Sequence, residues 1–215
     1  MSDVPLSPSY RTLATSVHVE FTEKKSRFLC ALLPVSTEAQ IQALLEEIRK
    51  QYWDAAHHCT AYRLKDGSER AHDDGEPAGT AGRPMLYVLQ QHQLQDILAV
   101  VTRYFGGTLL GAGGLVRAYR HAVELAVEQA QDVEIAPHDC YQLAIEYAQY
   151  DHALHILTEA GWNVQPEFTE QVTLTIIVPT VLRAEASTVL AGIAKNDRAA
   201  MPISTDMRPL TVRLA

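Results

Sequence analysis

Five glycines fall within the nine residues Gly106 to Gly114, directly behind the apolar run Ile97 to Val101 and directly ahead of a helical pattern from Leu115 to Ala130. No other stretch restricts the fold as much. A buried strand must run into a glycine loop, and the loop into a helix. Glycines let a backbone approach a ligand or another segment closely, and the helix behind them offers free N–H groups and the positive end of its dipole to an anion. Arg103, Arg117 and Arg120 surround the loop, with Arg117 in the first turns of the helix, where it can pair with an anion held there.

That outline is a phosphate cradle without a known phosphate signature. No Gly-Lys-Ser/Thr follows, and Gly111-Ala112-Gly113-Gly114 fits the dinucleotide fingerprint poorly. A tight strand-to-helix turn packed against the rest of the domain needs several of the same glycines, so both readings stand.

The rest of the chain is read around this stretch. Leu13 to Phe21 alternates apolar and polar residues, Glu23-Lys24-Lys25-Ser26 interrupts it, and Arg27 to Pro34 resumes an extended run, which predicts a hairpin. Ser36 or Thr37 caps a helix marked by Ile41, Leu44, Leu45 and Ile48. His57 to Leu64 reads as a strand. Lys65 to Arg83 reads as one long loop of charged and small residues, and long ordered loops are more often functional than decorative. Pro84 opens a helix buried through Met85, Val88 and Leu89, and Asp96 to Phe105 is the strand that feeds the glycines.

Past Gln131, a link through Asp132 to Pro137 leads to a second pattern. Its order is strand (Tyr141 to Tyr147), helix (Asp151 to Ala160, ended by Gly161), strand (Trp162 to Phe168), strand (Val172 to Val178), helix (Val181 to Ala194) and strand (Thr211 to Leu214). Thr180 is the expected cap of the second helix and Lys195-Asn196 its end. The order βαββαβ is ferredoxin-like.

Other groups invite chemistry. His57-His58-Cys59 and His72-Asp73-Asp74-Gly75-Glu76 hold metal-ligand residue types, but a strand turns His57 and Cys59 to one face and His58 to the other, so the spacing does not support a metal site. Cys59 lacks an elbow-type Gly-x-Ser-x-Gly context and reads as structural, and Trp53 and Trp162 read as core or edge anchors. Cys30, Cys59 and Cys140 are odd in number and widely spaced, which fits reduced thiols. The formal net charge of −8 argues against a surface coated in basic residues but leaves room for a local patch. Lys24, Lys25 and Arg27 form the densest basic group, and with Arg63 and Arg103 they would make one positive surface beside the glycine loop. No apolar stretch is long enough for a membrane span and no leader pattern opens the chain, so a cytoplasmic protein is expected.

Four of these stretches, in order, resemble the Impact family in its bacterial YigZ-type form: Lys25 to Phe28, Ala56 to Arg63, Asp73 to Gly82 and Val101 to Tyr119. The resemblance covers Ser16 to Gln131. It implies an α+β chain whose residues 1–134 form an Impact-type N-terminal domain, like domain 2 of ribosomal protein S5, with helices on one side of a sheet. Residues 135–215 would form a C-terminal ferredoxin-like domain akin to domain V of elongation factor G. It further implies binding of RNA, the ribosome or a translation-associated protein, and eukaryotic relatives act in translational control.

No catalytic residue, cofactor or metal is carried over by the resemblance. The candidates for RNA or anion binding are Lys25, Arg27, Arg63, Arg103, Gly106, Gly107, Gly113, Gly114 and Arg117. Two other readings stay open: a protein-interaction module without RNA affinity that docks through the loop Lys65 to Arg83 and the Tyr104-Phe105 face, and a nucleotide or small-molecule enzyme that uses the glycine loop with Asp73, Asp74 or Glu76.

Overall fold

The computed structural model describes residues 9–194 and 201–210. Contacts divide it into two units, Tyr10–Val133 and the chain from Glu134 onward.

In the first unit the elements are β1 (Tyr10–Leu13), β2 (Val17–Glu23), β3 (Ser26–Pro34), α1 (Glu38–Gln51), β4 (His57–Arg63), β5 (Glu69–His72), α2 (Gly82–Gln91), β6 (Ile97–Tyr104) and α3 (Ala112–Gln129). The sheet runs β2-β3-β6-β4-β5, antiparallel throughout. The expected hairpin joins β2 to β3, with Glu23 opposite Ser26. Thr37 caps α1, its hydroxyl accepting from the Gln40 N–H at 3.2 Å.

The apolar runs in β3 and β6 are continuous rather than alternating, as a sheet covered on both faces requires. Phe28, Cys30 and Leu32 with Ala99 and Val101 pack against Met85 and Leu89 of α2 and Tyr119 and Val123 of α3. Leu33, Tyr62, Leu98 and Val100 turn the other way, onto Ile41 and Leu45 of α1. The helices therefore lie on both faces of this sheet, not on one as the resemblance implied.

The long segment expected as a loop is partly regular. It contains the edge strand β5, every residue of which is exposed, and its last two residues begin α2. Asp73 organises what remains: its carboxylate accepts from the backbone N–H groups of Gly79 (2.7 Å), Ala81 (3.1 Å) and Gly82 (2.8 Å). Trp53 is no core anchor, being 81% exposed, whereas Trp162 is buried. All three cysteines are free and buried, and burial pushes the Cys59 thiol up to about 12, which keeps it an unreactive thiol.

The second unit contains most of β7 (Asp132–Ile145), then α4 (Tyr150–Glu159), β8 (Asn163–Phe168), β9 (Val172–Pro179), α5 (Arg183–Ala194) and β10 (Ser204–Pro209). Its antiparallel pairings give the order β10-β7-β9-β8, which is the ferredoxin-like arrangement. Tyr141, Leu143, Leu174 and Ile176 of the sheet bury Leu157 of α4 and Leu190 of α5. Two expectations shift. The link Asp132 to Pro137 is the start of β7, and Thr180, instead of capping a helix, donates to the buried carboxylate of Asp139 at 3.2 Å; the last strand among the described residues is Ser204–Pro209. The segment Thr211 to Leu214 and the pair Lys195-Asn196 lie outside the described residues. Among the described residues, no helix is long and apolar enough to cross a membrane.

Two hydrogen-bonded carboxylates, the half-buried Asp73 and the buried Asp139, set an acid limit on this fold. Burial opposes the charge on Asp73, but its backbone donors outweigh it; burial likewise opposes Asp139, which Arg183 at 2.7 Å and Thr205 at 2.7 Å outweigh. Both carboxyls are therefore held below their ordinary range. A lowered folded-state pKa adds stability that is complete above the unfolded value of about 4 and is lost as pH falls through the folded value. Urea midpoints should accordingly be flat from neutrality to about pH 4 and fall below it, with Asp73→Asn reducing both the midpoint and its acid slope.

Candidate functional site

One end of the first sheet gathers the stretches that the sequence singled out. The pairing β3–β6 sets Arg27 opposite Tyr104, and β4–β6 sets His57 opposite Arg103. The β2–β3 turn, the glycine loop after β6, the turn before β4 and the loop around Glu76 thus meet there.

Beneath them lies a buried polar cluster. Arg103 continues the inward face of Ala99 and Val101, so its side chain enters the core and is 6% exposed. A charge there needs a partner, and Glu76 supplies it, accepting from the guanidinium at 2.5 Å and from the Tyr119 hydroxyl at 2.8 Å. Ser26 accepts from Arg103 at 3.3 Å and from the Gly106 N–H at 3.2 Å, which ties the hairpin to the glycine loop. His57 stands 3.8 Å from Glu76, with its other ring nitrogen 2.8 Å from the Asp74 carbonyl. Burial pushes the Tyr119 phenol far above its ordinary range, and the nearby Cys59 and Glu76 add to that. Within this cluster Arg103 is spent on holding the loops together.

The glycines divide by role. A Cβ on Gly106 would fall 2.0 Å from the Lys25 carbonyl carbon, so only glycine lets the loop cross the hairpin backbone. One on Gly114 would meet Leu110 Cβ at 2.9 Å. Gly107 has a φ of 78° with open space around it. Gly113 lies beneath Arg117, whose Nη1 would stand 3.7 Å from a Cβ there.

Above the cluster, cations and carboxylates meet at the surface. Lys24 and Lys25 form the hairpin tip with φ of 46° and 66°. Both sit in the left-handed region, where an L-residue with a Cβ pays about 1–2 kcal/mol and where hairpins ordinarily carry Asn-Gly. Beside them a recess of about 200 Å³ is lined by Phe21, Glu23, Lys24, Gly114, Arg117 and His121, among others. It opens at the first turns of α3, whose N-cap is Gly111 with no side-chain cap bond. Among the described residues, Lys24, Lys25 and Arg117 form no ion pair. Arg27, also exposed, is bound by Glu20 at 2.8 and 3.1 Å and lies over the Tyr104 ring at 5.4 Å.

The structure thus brings together Lys25, Arg27, Gly106, Gly107, Gly113, Gly114 and Arg117 at this end, with Arg103 underneath. Arg63 is not among them. It ends β4 opposite Ile97, about 20 Å along the strand from His57 at ~3.3 Å per residue, and is held by Glu69 and by the carbonyls of Leu89 and Leu94. Sequence reasoning named Lys24 in the basic hairpin group without carrying it into the candidate set, offered Phe105 only as part of a protein-docking face, and missed Trp53; Trp53 and Phe105 are both exposed at this same end. Strand alternation through Ala99, Val101 and Arg103 was the signal that could have placed Arg103 inside. Among the described residues no His, Cys, Asp or Glu group is gathered as a metal ion requires.

Comparisons with known proteins agree with the motifs. A family model described as the Impact N-terminal domain matches residues 24–127. The IMPACT family member YigZ of Escherichia coli (strain K12) is 38% identical over 178 residues, which span 80% of this chain and 87% of that protein. The IMPACT family member YvyE of Bacillus subtilis (strain 168) is 49% identical over 128 residues, 59% of each chain. A solved structure, described only as a hypothetical protein, is 32% identical with a TM-score of 0.62, covering 98% of this chain and all of that one (100%).

Proposed function

The chain belongs to the IMPACT family, and on that premise we propose that it is an RNA- or ribosome-associated protein that acts by binding, without catalysis, in the regulation of translation. The family resemblance supports the link to translation. The geometry supports the ligand: Lys24 and Arg117 line the recess at the uncapped start of α3, with Lys25 beside Lys24 on the hairpin tip, and none of the three forms an ion pair among the described residues, on a chain whose net charge is −8. Phosphate oxygens are what such a group receives, from lysine and arginine side chains and from helix N–H groups together.

The single observation that carries the reading is the hairpin tip. Two lysines occupy left-handed positions that Asn-Gly would fill at lower cost. Strain of this kind collects at functional sites, where a side chain is kept for what it contacts.

That makes a two-way prediction. Replacing the tip by Lys24→Asn with Lys25→Gly should raise stability by about 1 kcal/mol, since the strain is relieved. The same variant should bind labelled RNA or purified ribosomes more weakly at low salt. Weaker binding with higher stability supports the reading. Binding unchanged by the substitutions, or no binding by the unaltered protein, contradicts it.

A further inference from the structure

We infer that the RNA held at this end is single-stranded, with its bases stacked on Trp53 and Phe105; this rests on the RNA reading above. Trp53 is 81% exposed and Phe105 53% exposed, although both belong to a well-packed unit. Leaving a large apolar side chain in water forgoes about 1.5–3 kcal/mol of burial. Two such rings at one end of a sheet call for an occupant.

The backbone that carries both rings is fixed. Trp53 follows the last turn of α1, where the Tyr52 N–H donates to the Ile48 carbonyl at 2.9 Å and the Ala55 N–H closes the turn onto Tyr52 at 3.0 Å. Its neighbour Asp54 accepts from the Tyr104 hydroxyl at 2.9 Å, and the Ala56 N–H donates to the Arg103 carbonyl at 3.0 Å. These bonds fix the Trp53 turn to the end of β6, where Phe105 follows. The Phe105 ring is braced by the guanidinium of Arg103 at 5.7 Å.

The charge around the rings selects the occupant. The backbone of Lys25, whose side chain forms no ion pair among the described residues, passes directly against Gly106, next to Phe105; Arg27 reaches over Tyr104 while paired with Glu20, and Asp54 beside Trp53 is engaged by the Tyr104 hydroxyl. Aromatic platforms beside a cationic track are how proteins hold unpaired strands: the bases stack on the rings and the phosphates follow the cations. In an A-form duplex the bases are already stacked inside, so a duplex would engage the cations and leave both rings in water.

The test compares a labelled single-stranded RNA with a fully paired duplex of the same sequence at low salt, using the full chain and its Trp53→Ala and Phe105→Ala variants. Because both positions are exposed, circular dichroism should confirm that each variant keeps its fold. The single strand should bind about tenfold tighter than the duplex, and each variant should lose about tenfold for the single strand alone. Tryptophan fluorescence should be quenched by the single strand in the unaltered protein and not in Trp53→Ala, since Trp162 is buried. If the duplex binds equally well and both variants retain full affinity, the stacking inference is overturned while the RNA reading stands. If neither form binds, the RNA reading itself fails.

Discussion

Glu76→Ala should destabilise this protein more than any other single substitution at the site, by about 3–5 kcal/mol. The variant strips the only carboxylate found on the buried guanidinium of Arg103 among the described residues and removes the acceptor of the Tyr119 hydroxyl. Arg103 already has an Nε with no hydrogen-bond partner among the described residues, so it has nothing in reserve. A buried charge without its counter-ion costs far more than the intact pair contributes, and the loss is a large share of a total that is about 5–15 kcal/mol in ordinary domains. Adding Arg103→Met to Glu76→Ala should restore most of it, because the charge that needed Glu76 is then gone. Urea unfolding followed by circular dichroism measures both. A single-variant loss under about 1 kcal/mol would mean that Arg103 finds water or another partner.

Gly106→Ala should come second. Its new Cβ would lie 2.0 Å from the Lys25 carbonyl carbon, 2.1 Å from the Lys25 oxygen and 2.4 Å from the Ser26 nitrogen. All three are backbone atoms of a paired hairpin, so no rotamer change relieves the clash. Overpacking costs about 1–3 kcal/mol where side chains can adjust, and this position belongs at or beyond the top of that range. The bond from the Gly106 N–H to Ser26 would be lost as the loop lifts, and the hairpin tip would move with it. Gly107→Ala is the control. With a φ of 78° and nothing within 4 Å, it should cost only the left-handed strain of about 1–2 kcal/mol. Equal losses at the two positions would show that backbone conformation, not the crossing of the hairpin, demands these glycines.

These expectations depend on features of unequal visibility in the sequence. The α1 helix was legible because Ile41, Leu45 and Ile48 recur at helical spacing behind the Thr37 cap. The β2–β3 hairpin was legible from two extended runs around Lys24-Lys25. The edge strand β5 was not, because Glu69-Arg70-Ala71-His72 has no buried face to leave a pattern, and only pairing with β4 makes it a strand. Strand β7 begins earlier than expected: Pro137, which ordinarily avoids a strand interior, keeps its place opposite Met207. In β10, Ser204 to Pro209 has weak strand propensity of its own and is extended by β7.

The site was visible as motifs and misleading as charges. Arg103, Arg63, Arg27, Lys25 and Arg117 are alike on paper, but burial and partners sort them. Arg103 and Arg63 are bound within the fold, Arg27 is tied to Glu20, and Lys25 and Arg117 face outward without ion pairs among the described residues. Burial is set by contacts between distant strands, which no local window contains. Trp53 was missed for the same reason: a tryptophan after a helix usually packs, and here the sheet end leaves it exposed.

The account stands or falls on whether the hairpin tip meets phosphate. The most direct measurement is the slope of log affinity against log salt for single-stranded RNA, for the unaltered protein and for the Lys24→Asn, Lys25→Gly variant. Each phosphate contact on a single strand contributes about −0.7 to that slope, so removing both lysines should flatten it by about 1.4. An unchanged slope in a folded, more stable variant would mean that the tip touches no phosphate and would contradict the account.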